Sequence, residues 1–313
     1  MNIKVLDCTL RDGGYVNNWE FGTKNIIQII SHLSNAGIDY IECGFLQNTD
    51  YDPNKTIYTD PDQLPAGNNL CLMVNYPTEI VPESNGVILR IAFKKHDLKN
   101  ALKYCQILKK RGHRLFINPM VTDSYTESEL IDLIKEVNEI EPIALTIADT
   151  IGEMTTDDIK TLFNIIDKNL KSNIALCFHS HNNIQMSFAN TQQLIELCID
   201  RDLIIDSSIF GMGRGAGNLC TELITKHLNN YNMSDIMKVS HDYIMPIYEK
   251  QPWGCSAETY LAAINHCHPN YAKFLTDKHI KQEDMSKIFQ SIPDDKKTVF
   301  DKELIEKLIT STI

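Results

Sequence analysis

The chain has 313 residues, 43% of them hydrophobic, and a formal charge of −11. That length and apolar content suit one large α/β domain or two smaller ones and exclude a disordered chain. The anionic balance argues against nucleic acid as a partner, and no run in the sequence approaches the roughly 20 apolar residues a membrane helix needs.

The start, Met1-Asn2-Ile3-Lys4, lacks the apolar segment of a signal peptide. The nine cysteines are odd in number, contain no C-x-x-C pair and often sit in apolar runs. They read as reduced core residues of a cytoplasmic protein.

In chain order, Ile3–Cys8 reads as a buried strand that opens into "TLRDGGY", delivering Arg11 and Asp12. A helix-period stretch, Asn25–Ala36, leads to a second strand, Asp39–Gly44, with Glu42 in "YIECGF". Leu70–Asn75 and Val87–Ala92 follow as strands, the latter carrying Arg90. The connections after the second and third strands are broken by Asp-Pro, Leu-Pro, Tyr-Pro and Val-Pro, so their helices are the weakest. Next come helix Leu98–Arg111, strand Arg114–Asn118, helix Glu127–Glu139 and strand Ile143–Ala148, followed at once by Asp149 and Thr150. Helix Asp157–Lys168 precedes strand Ile174–Phe178, which ends in "HSHNN". Helix Met186–Ile199 then leads to strand Leu203–Ile209, the loop "GMGRGAGNL" and helix Thr221–Leu228.

Eight near-continuous apolar strands alternating with helices imply a parallel sheet covered on both faces, and the count matches a (β/α)8 TIM barrel over residues 1–230. A doubly wound open sheet is the alternative. Residues 231–313 read as a helical C-terminal extension: Ser234–Lys250, Ala257–His266, Gln282–Ser291 and Asp301–Ile309. Such a tail either packs on the barrel or meets another subunit, which would make a homodimer through the C-terminal helices.

Active-site groups of a barrel gather at the C-terminal ends of its strands. His179 and His181, two apart on an extended strand, point to the same side and can reach one ion. With Asp12 from the first strand they form a mixed O/N site that suits Mn²⁺, Mg²⁺, Zn²⁺ or Fe²⁺. The bland alternative makes Asp12 a loop cap paired with Arg11. "GMGRGAGN" is either a phosphate cradle or a loop that brings its backbone close to a bound ion, with Asn218 as a further ligand. Arg11 is placed to stabilise negative charge on a carbonyl oxygen, and Glu42 to hold it there. Arg90 is either an internal ion pair or a grip on a substrate carboxylate; with Asp149, Thr150 and Arg214 it completes the candidate substrate-binding set. His266, His268 and Tyr260 in the tail read first as structural residues.

"TLRDG", "IECG", "HSHNN" and "GRGAGN" together resemble the DRE-TIM metallolyase superfamily, which contains 3-hydroxy-3-methylglutaryl-CoA lyase, isopropylmalate and homocitrate synthases and 4-hydroxy-2-oxovalerate aldolase. The likeness covers residues 3 to about 228. It implies that Arg11 stabilises a metal-bound enolate, that Glu42 orients Arg11, and that Asp12, His179 and His181 bind a divalent metal, with Asn218 as a further ligand. The loop after the eighth strand lacks the cysteine of the thioester lyases, and Gly14-Tyr15 replaces the Glu-Gln that follows R-D-G in the synthases. The aldolase branch is the nearest, yet it carries a histidine base where this chain has Tyr15, and a phenol ordinarily titrates near 10.

The expectation is a metal-dependent aldolase, Mn²⁺ first among the cations, that makes or breaks a C–C bond of a small 2-oxo acid and releases pyruvate or a similar fragment. A Claisen-type acyltransferase that joins an acyl-CoA to a 2-oxo acid is the alternative. A barrel that has lost catalysis and serves as a binding subunit is the third.

Overall fold

The computed structural model describes residues 2–312. Eight parallel strands close a barrel: β1 (Ile3–Asp7), β2 (Tyr40–Leu46), β3 (Leu70–Asn75), β4 (Ile88–Phe93), β5 (Leu115–Pro119), β6 (Ala144–Asp149), β7 (Ala175–Ser180) and β8 (Leu203–Ser207). Each pairs with its neighbour in sequence, and β1 pairs with both β2 and β8, so the sheet has no free edge there. The TIM barrel holds, and the open sheet does not.

Six helices cover the barrel: α1 (Thr23–Asn35), α2 (Leu98–Lys110), α3 (Glu127–Ile140), α4 (Thr156–Asn169), α5 (Ser187–Leu197) and α6 (Thr221–Leu228). Thr126 and Thr155 open α3 and α4 with reciprocal capping boxes, which satisfy backbone donors that the first turn leaves free. Among the described residues no α-helix follows β2 or β3, and only a single 3₁₀ turn, Pro61–Gln63, lies between them. The prolines break that chain, which instead lays the short pair Ile57–Tyr58 against the edge of β2.

Side chains alternate along each strand. One set, with Val5, Leu72, Ile91, Ile117, Ile147 and Ile205, packs outward into the large core beneath the helices. The other fills the barrel in layers. Leu6, Tyr40, Ile88, Phe116, Ala144 and Ile204 form an apolar plug low in the cylinder. Above it lie Glu42, Arg90 and Asp206, all buried.

β2 breaks the alternation once. Its pairing with β3 shifts register between Glu42 and Phe45, at Gly44, whose φ is +147°. A Cβ there would stand 1.9 Å from the carbonyl oxygen of Thr56. The bulge lets Glu42 and Phe45 both face the barrel interior. Gly44→Ala is therefore expected to cost about 3 kcal/mol or more in a urea unfolding curve.

The tail first continues the barrel. α7 (Met233–Val239) and the turns after it bury Ile236, Val239 and Ile244 in the main core. α8 (Ala257–Ile264), α9 (Pro269–Asp277), α10 (Gln282–Ser291) and α11 (Lys302–Thr312) build a second, smaller cluster around Tyr271, Leu275 and Phe289. The packing thus changes well after residue 230, where the sequence pattern changes. The tail also folds back over the barrel mouth, for Pro269 lies against Gly215 of the glycine-rich loop. Among the described residues no helix is long and apolar enough to cross a membrane.

Candidate metal and oxyanion site

Residues 8–13 form tight turns in which the Asp12 N–H donates to the Cys8 carbonyl at 2.8 Å. Arg11 and Asp12 are thereby turned inward at the top of the barrel, past the end of β1 rather than on it. His179 comes from the C-terminal end of β7, and His181 lies just past it, bridged to Asn218 of the glycine-rich loop. Asp12, His179 and His181 each offer a ligand atom, all within 4.8 Å of one another and all buried. Nε2 of His181 lies 3.4 Å from Asp12 Oδ2, and Nε2 of His179 lies 4.0 Å from it.

Both rings are held from behind. His181 Nδ1 lies 2.9 Å from the Asp149 carbonyl, which can only accept, so Nδ1 carries the proton and Nε2 keeps its lone pair. His179 Nδ1 lies 3.0 Å from Asp206 Oδ2. Burial alone would raise the Asp206 carboxyl, but Arg90 and His179 outweigh it and bring it down to about 2. An ionised Asp206 accepts from Nδ1 of His179, which turns Nε2 of the ring toward the site.

The local hydrogen bonds fit a cation. Asp12 Oδ2, His181 Nε2 and Asn218 Oδ1 are all buried without a hydrogen-bond partner among the described residues. Buried polar atoms are rarely left so, and three together on one site call for an occupant. The amide of Asn218 is oriented for it, since Nδ2 donates to the Met212 carbonyl at 3.3 Å and so leaves the oxygen free. Gly213 is what allows the approach: a Cβ there would lie 2.6 Å from Asn218 Nδ2 and 3.2 Å from Asp12 Oδ2.

The charge balance points the same way. Within the ion-paired cluster two guanidinium groups, Arg11 and Arg90, face three carboxylates, Asp12, Glu42 and Asp206, which leaves that cluster with one net negative charge. A divalent cation reverses that sign, and a bound carboxylate then neutralises it. Burial pushes Asp12 up, yet Arg11 and His181 more than compensate and hold it well below the usual carboxylate range, as a ligand requires.

Arg11 donates from Nε to Glu42 Oε2 at 2.7 Å and from one terminal nitrogen to Asp12. Arg90 shares the same Glu42 oxygen at 3.2 Å and donates to Asp206 Oδ2 at 2.6 Å. One buried arginine therefore braces both Arg11, through Glu42, and His179, through Asp206. Arg90 is fully buried above the Phe116 ring and is not among the residues that line the cavity, and its contacts with Glu42 and Asp206 are those of an internal ion pair.

The site opens into a cavity of about 60 Å³ whose walls include Phe45, Met73, Asn75, Asn118, Met120 and Thr150. Thr150 Oγ1 accepts from the Val121 N–H at 2.8 Å. Asp149 faces away: its Oδ1 accepts from the Glu153 and Met154 N–H groups at 3.0 and 3.3 Å, and burial pushes the carboxyl up to about 8. It serves the site through its backbone carbonyl. Tyr15 and Arg214 stand at the mouth, with the guanidinium 4.6 Å over the phenol ring.

Of the tail residues, His266 pairs with Glu153 at the surface and Tyr260 is exposed. His268 is buried and caps α9, its Nδ1 accepting from the Asn270 N–H at 3.2 Å. Asp206 is the residue the sequence pattern did not single out. Its signal was present, since a carboxylate within "LIIDS" is as out of place as Glu42 within "YIECGF". Asp206→Asn is expected to weaken divalent metal binding by about 10- to 100-fold in titration calorimetry, because His179 exchanges a charged orienting acceptor for a neutral amide.

Residues 89–243 match the HMGL-like family model. The chain is similar to the oxaloacetate decarboxylase of Mycobacterium tuberculosis, 23% identical over 269 residues that cover 82% of this chain and 78% of that protein. It is similar to the 4-hydroxy-2-oxovalerate aldolase of Carboxydothermus hydrogenoformans, 23% identical over 265 residues, 78% of this chain and 77% of that protein. Among solved structures it resembles the N-terminal domain of a Bacteroides vulgatus protein assigned provisionally as an aldolase. The two superpose with a TM-score of 0.76 at 26% identity, over 87% of this chain and 96% of that one.

Proposed function

We propose that this chain, an enzyme that matches the HMGL-like family model over residues 89–243, is a divalent-metal-dependent aldolase acting on a small 2-oxo acid. It splits a 4-hydroxy-2-oxo acid into pyruvate and an aldehyde, or joins the two in the reverse direction. The observation that carries this reading is the convergence of three unpartnered buried ligand atoms, on Asp12, His181 and Asn218, beside a buried Arg11.

Asp12, His179 and His181 would hold the cation, with Asn218 as a further ligand. The mixed carboxylate and imidazole set suits Mn²⁺ best, with Mg²⁺ and Zn²⁺ also accommodated. A bound dication supplies Lewis-acid polarisation of the keto group. Arg11 donates to the oxygen on which negative charge gathers, and Glu42 and Arg90 keep it from turning away. In cleavage the 4-hydroxyl loses its proton, the C3–C4 bond breaks and its electron pair passes into the enolate. The aldehyde leaves, and protonation at C3 gives pyruvate. We assign the proton transfers to Tyr15, whose ring lies at the mouth of the cavity. Phe45, Met73 and Met120 keep that cavity dry, which strengthens the charge interactions within it. A cavity of about 60 Å³ admits roughly five water-sized groups, about the bulk of a three-carbon 2-oxo acid. The nine free thiols, most of them buried, support the cytoplasm as its compartment.

The test is proton exchange. Protein with Mn²⁺ and pyruvate in D₂O is expected to wash out the pyruvate methyl protons in NMR spectra. Exchange on acetyl-CoA in place of 2-oxo acids would move the assignment to a Claisen-type acyltransferase. Exchange on neither would remove the enolate chemistry altogether.

A further inference from the structure

The inner cavity is too small for both reactants, so the second must occupy other space. Directly outside it lies a cleft of about 710 Å³ between the barrel mouth and the C-terminal helices. Tyr15 and Arg214 are the two residues that line both spaces. The walls of the outer cleft include Trp253, Phe274 and Phe300, with Lys273 and Asp277 at 3.3 Å from each other at its rim.

Arg214 is the unexplained group here. No carboxylate among the described residues lies within ion-pair distance of it, although every other arginine near the site has one. Its Nε is buried without a hydrogen-bond partner. Its guanidinium carbon lies 4.6 Å over the Tyr15 ring, which holds the group where the two spaces meet. A preoriented, uncompensated guanidinium is a site for an anion. The 2-oxo acid in the inner cavity already faces Arg11, so Arg214 is left for the other reactant.

We infer that the aldehyde partner is an extended, anionic one, of four or more carbons with a phosphate or carboxylate substituent. Its carbonyl enters past Tyr15, its anionic group meets Arg214, and its chain lies along Trp253 and Phe274 in the outer cleft. This rests on the aldolase reading above. In the joining direction the enolate carbon of the 2-oxo acid bonds to the aldehyde carbon. The aldehyde oxygen takes the electron pair and one proton to become the 4-hydroxyl, so no oxidant or reductant is needed. The volume of the cleft, in the range of sites for drug-sized ligands, has no use for a two-carbon aldehyde.

The experiment measures carboligation of pyruvate by the full chain with Mn²⁺ against four aldehydes: acetaldehyde, erythrose, erythrose 4-phosphate and succinic semialdehyde. Pyruvate methyl exchange is followed in parallel without aldehyde. One charge-assisted contact predicts kcat/KM about 10- to 100-fold higher for an anionic four-carbon aldehyde than for erythrose. Arg214→Gln should erase most of that difference, chiefly through KM. Preference between the last two substrates tells a phosphate from a carboxylate, and either supports the inference. Exchange together with equal rates on charged and neutral aldehydes overturns it, as does exchange with no carboligation of any four-carbon aldehyde. Both leave the inner chemistry standing. Absence of exchange on every 2-oxo acid overturns the aldolase reading and this inference with it.

Discussion

Asp12→Ala is expected to give a folded barrel that retains no divalent metal after desalting and has no measurable turnover. Asp12 is the one anionic member of the proposed ligand set, and its Oδ2 lies 3.4 and 4.0 Å from Nε2 of His181 and His179. Losing it leaves two neutral rings beside Arg11, a poor place for a dication. The loss in affinity should exceed the roughly 10- to 100-fold that removal of an outer partner costs. A thermal shift gives a readout independent of activity. At about 100 times its dissociation constant, Mn²⁺ should stabilise the wild type by about 2.7 kcal/mol. The same addition should leave the variant's melting temperature where it was. Metal recovered in stoichiometric amount with Asp12→Ala would take the carboxylate out of the site.

Arg11→Met should separate binding from chemistry. The ligands remain, so metal content should match the wild type, while kcat falls by about 10²- to 10³-fold, as on loss of one preorganised donor. The complication is stability. Arg11 is one of two counter-charges on Glu42, and breaking a buried ion pair typically costs about 3–5 kcal/mol. The double variant Arg11→Met/Glu42→Gln removes the stranded charge. It should regain part of the stability and none of the turnover, a coupling visible in a double-mutant cycle. Full activity in Arg11→Met would mean that the guanidinium does not steady the enolate.

The sequence made the barrel legible because each strand is a short apolar run with polar residues at its C-terminal end. Arg11, Glu42, His179 and His181 could be found from those positions alone. Other features depend on which strands become neighbours. Asp206 and His179 meet because β7 and β8 pair side by side, and nothing local to "LIIDS" says which ring it will face. Arg90 sits in the middle of β4, and an arginine inside an apolar run reads equally as a buried ion pair or as a grip on a ligand. Only the presence of two carboxylates at its depth decides between the alternatives. The stacking of Arg214 on Tyr15 joins residues far apart in the chain through the turn after β1 and the loop after β8. α9 was hidden by "HCHPN", where His268 caps a helix that begins with Pro269. The missing helices after β2 and β3 were foreshadowed by their prolines.

The bracing by Arg90 has a consequence for how such a catalyst diversifies. One immobile cation beneath the floor fastens both Arg11, the proposed oxyanion donor, and His179, a proposed metal ligand, so neither can be retuned without loosening the other. Variation in this region is penalised twice. The rim contributed by the late helices touches neither fastening, and lineages or engineers seeking a new substrate have that rim free to rewrite.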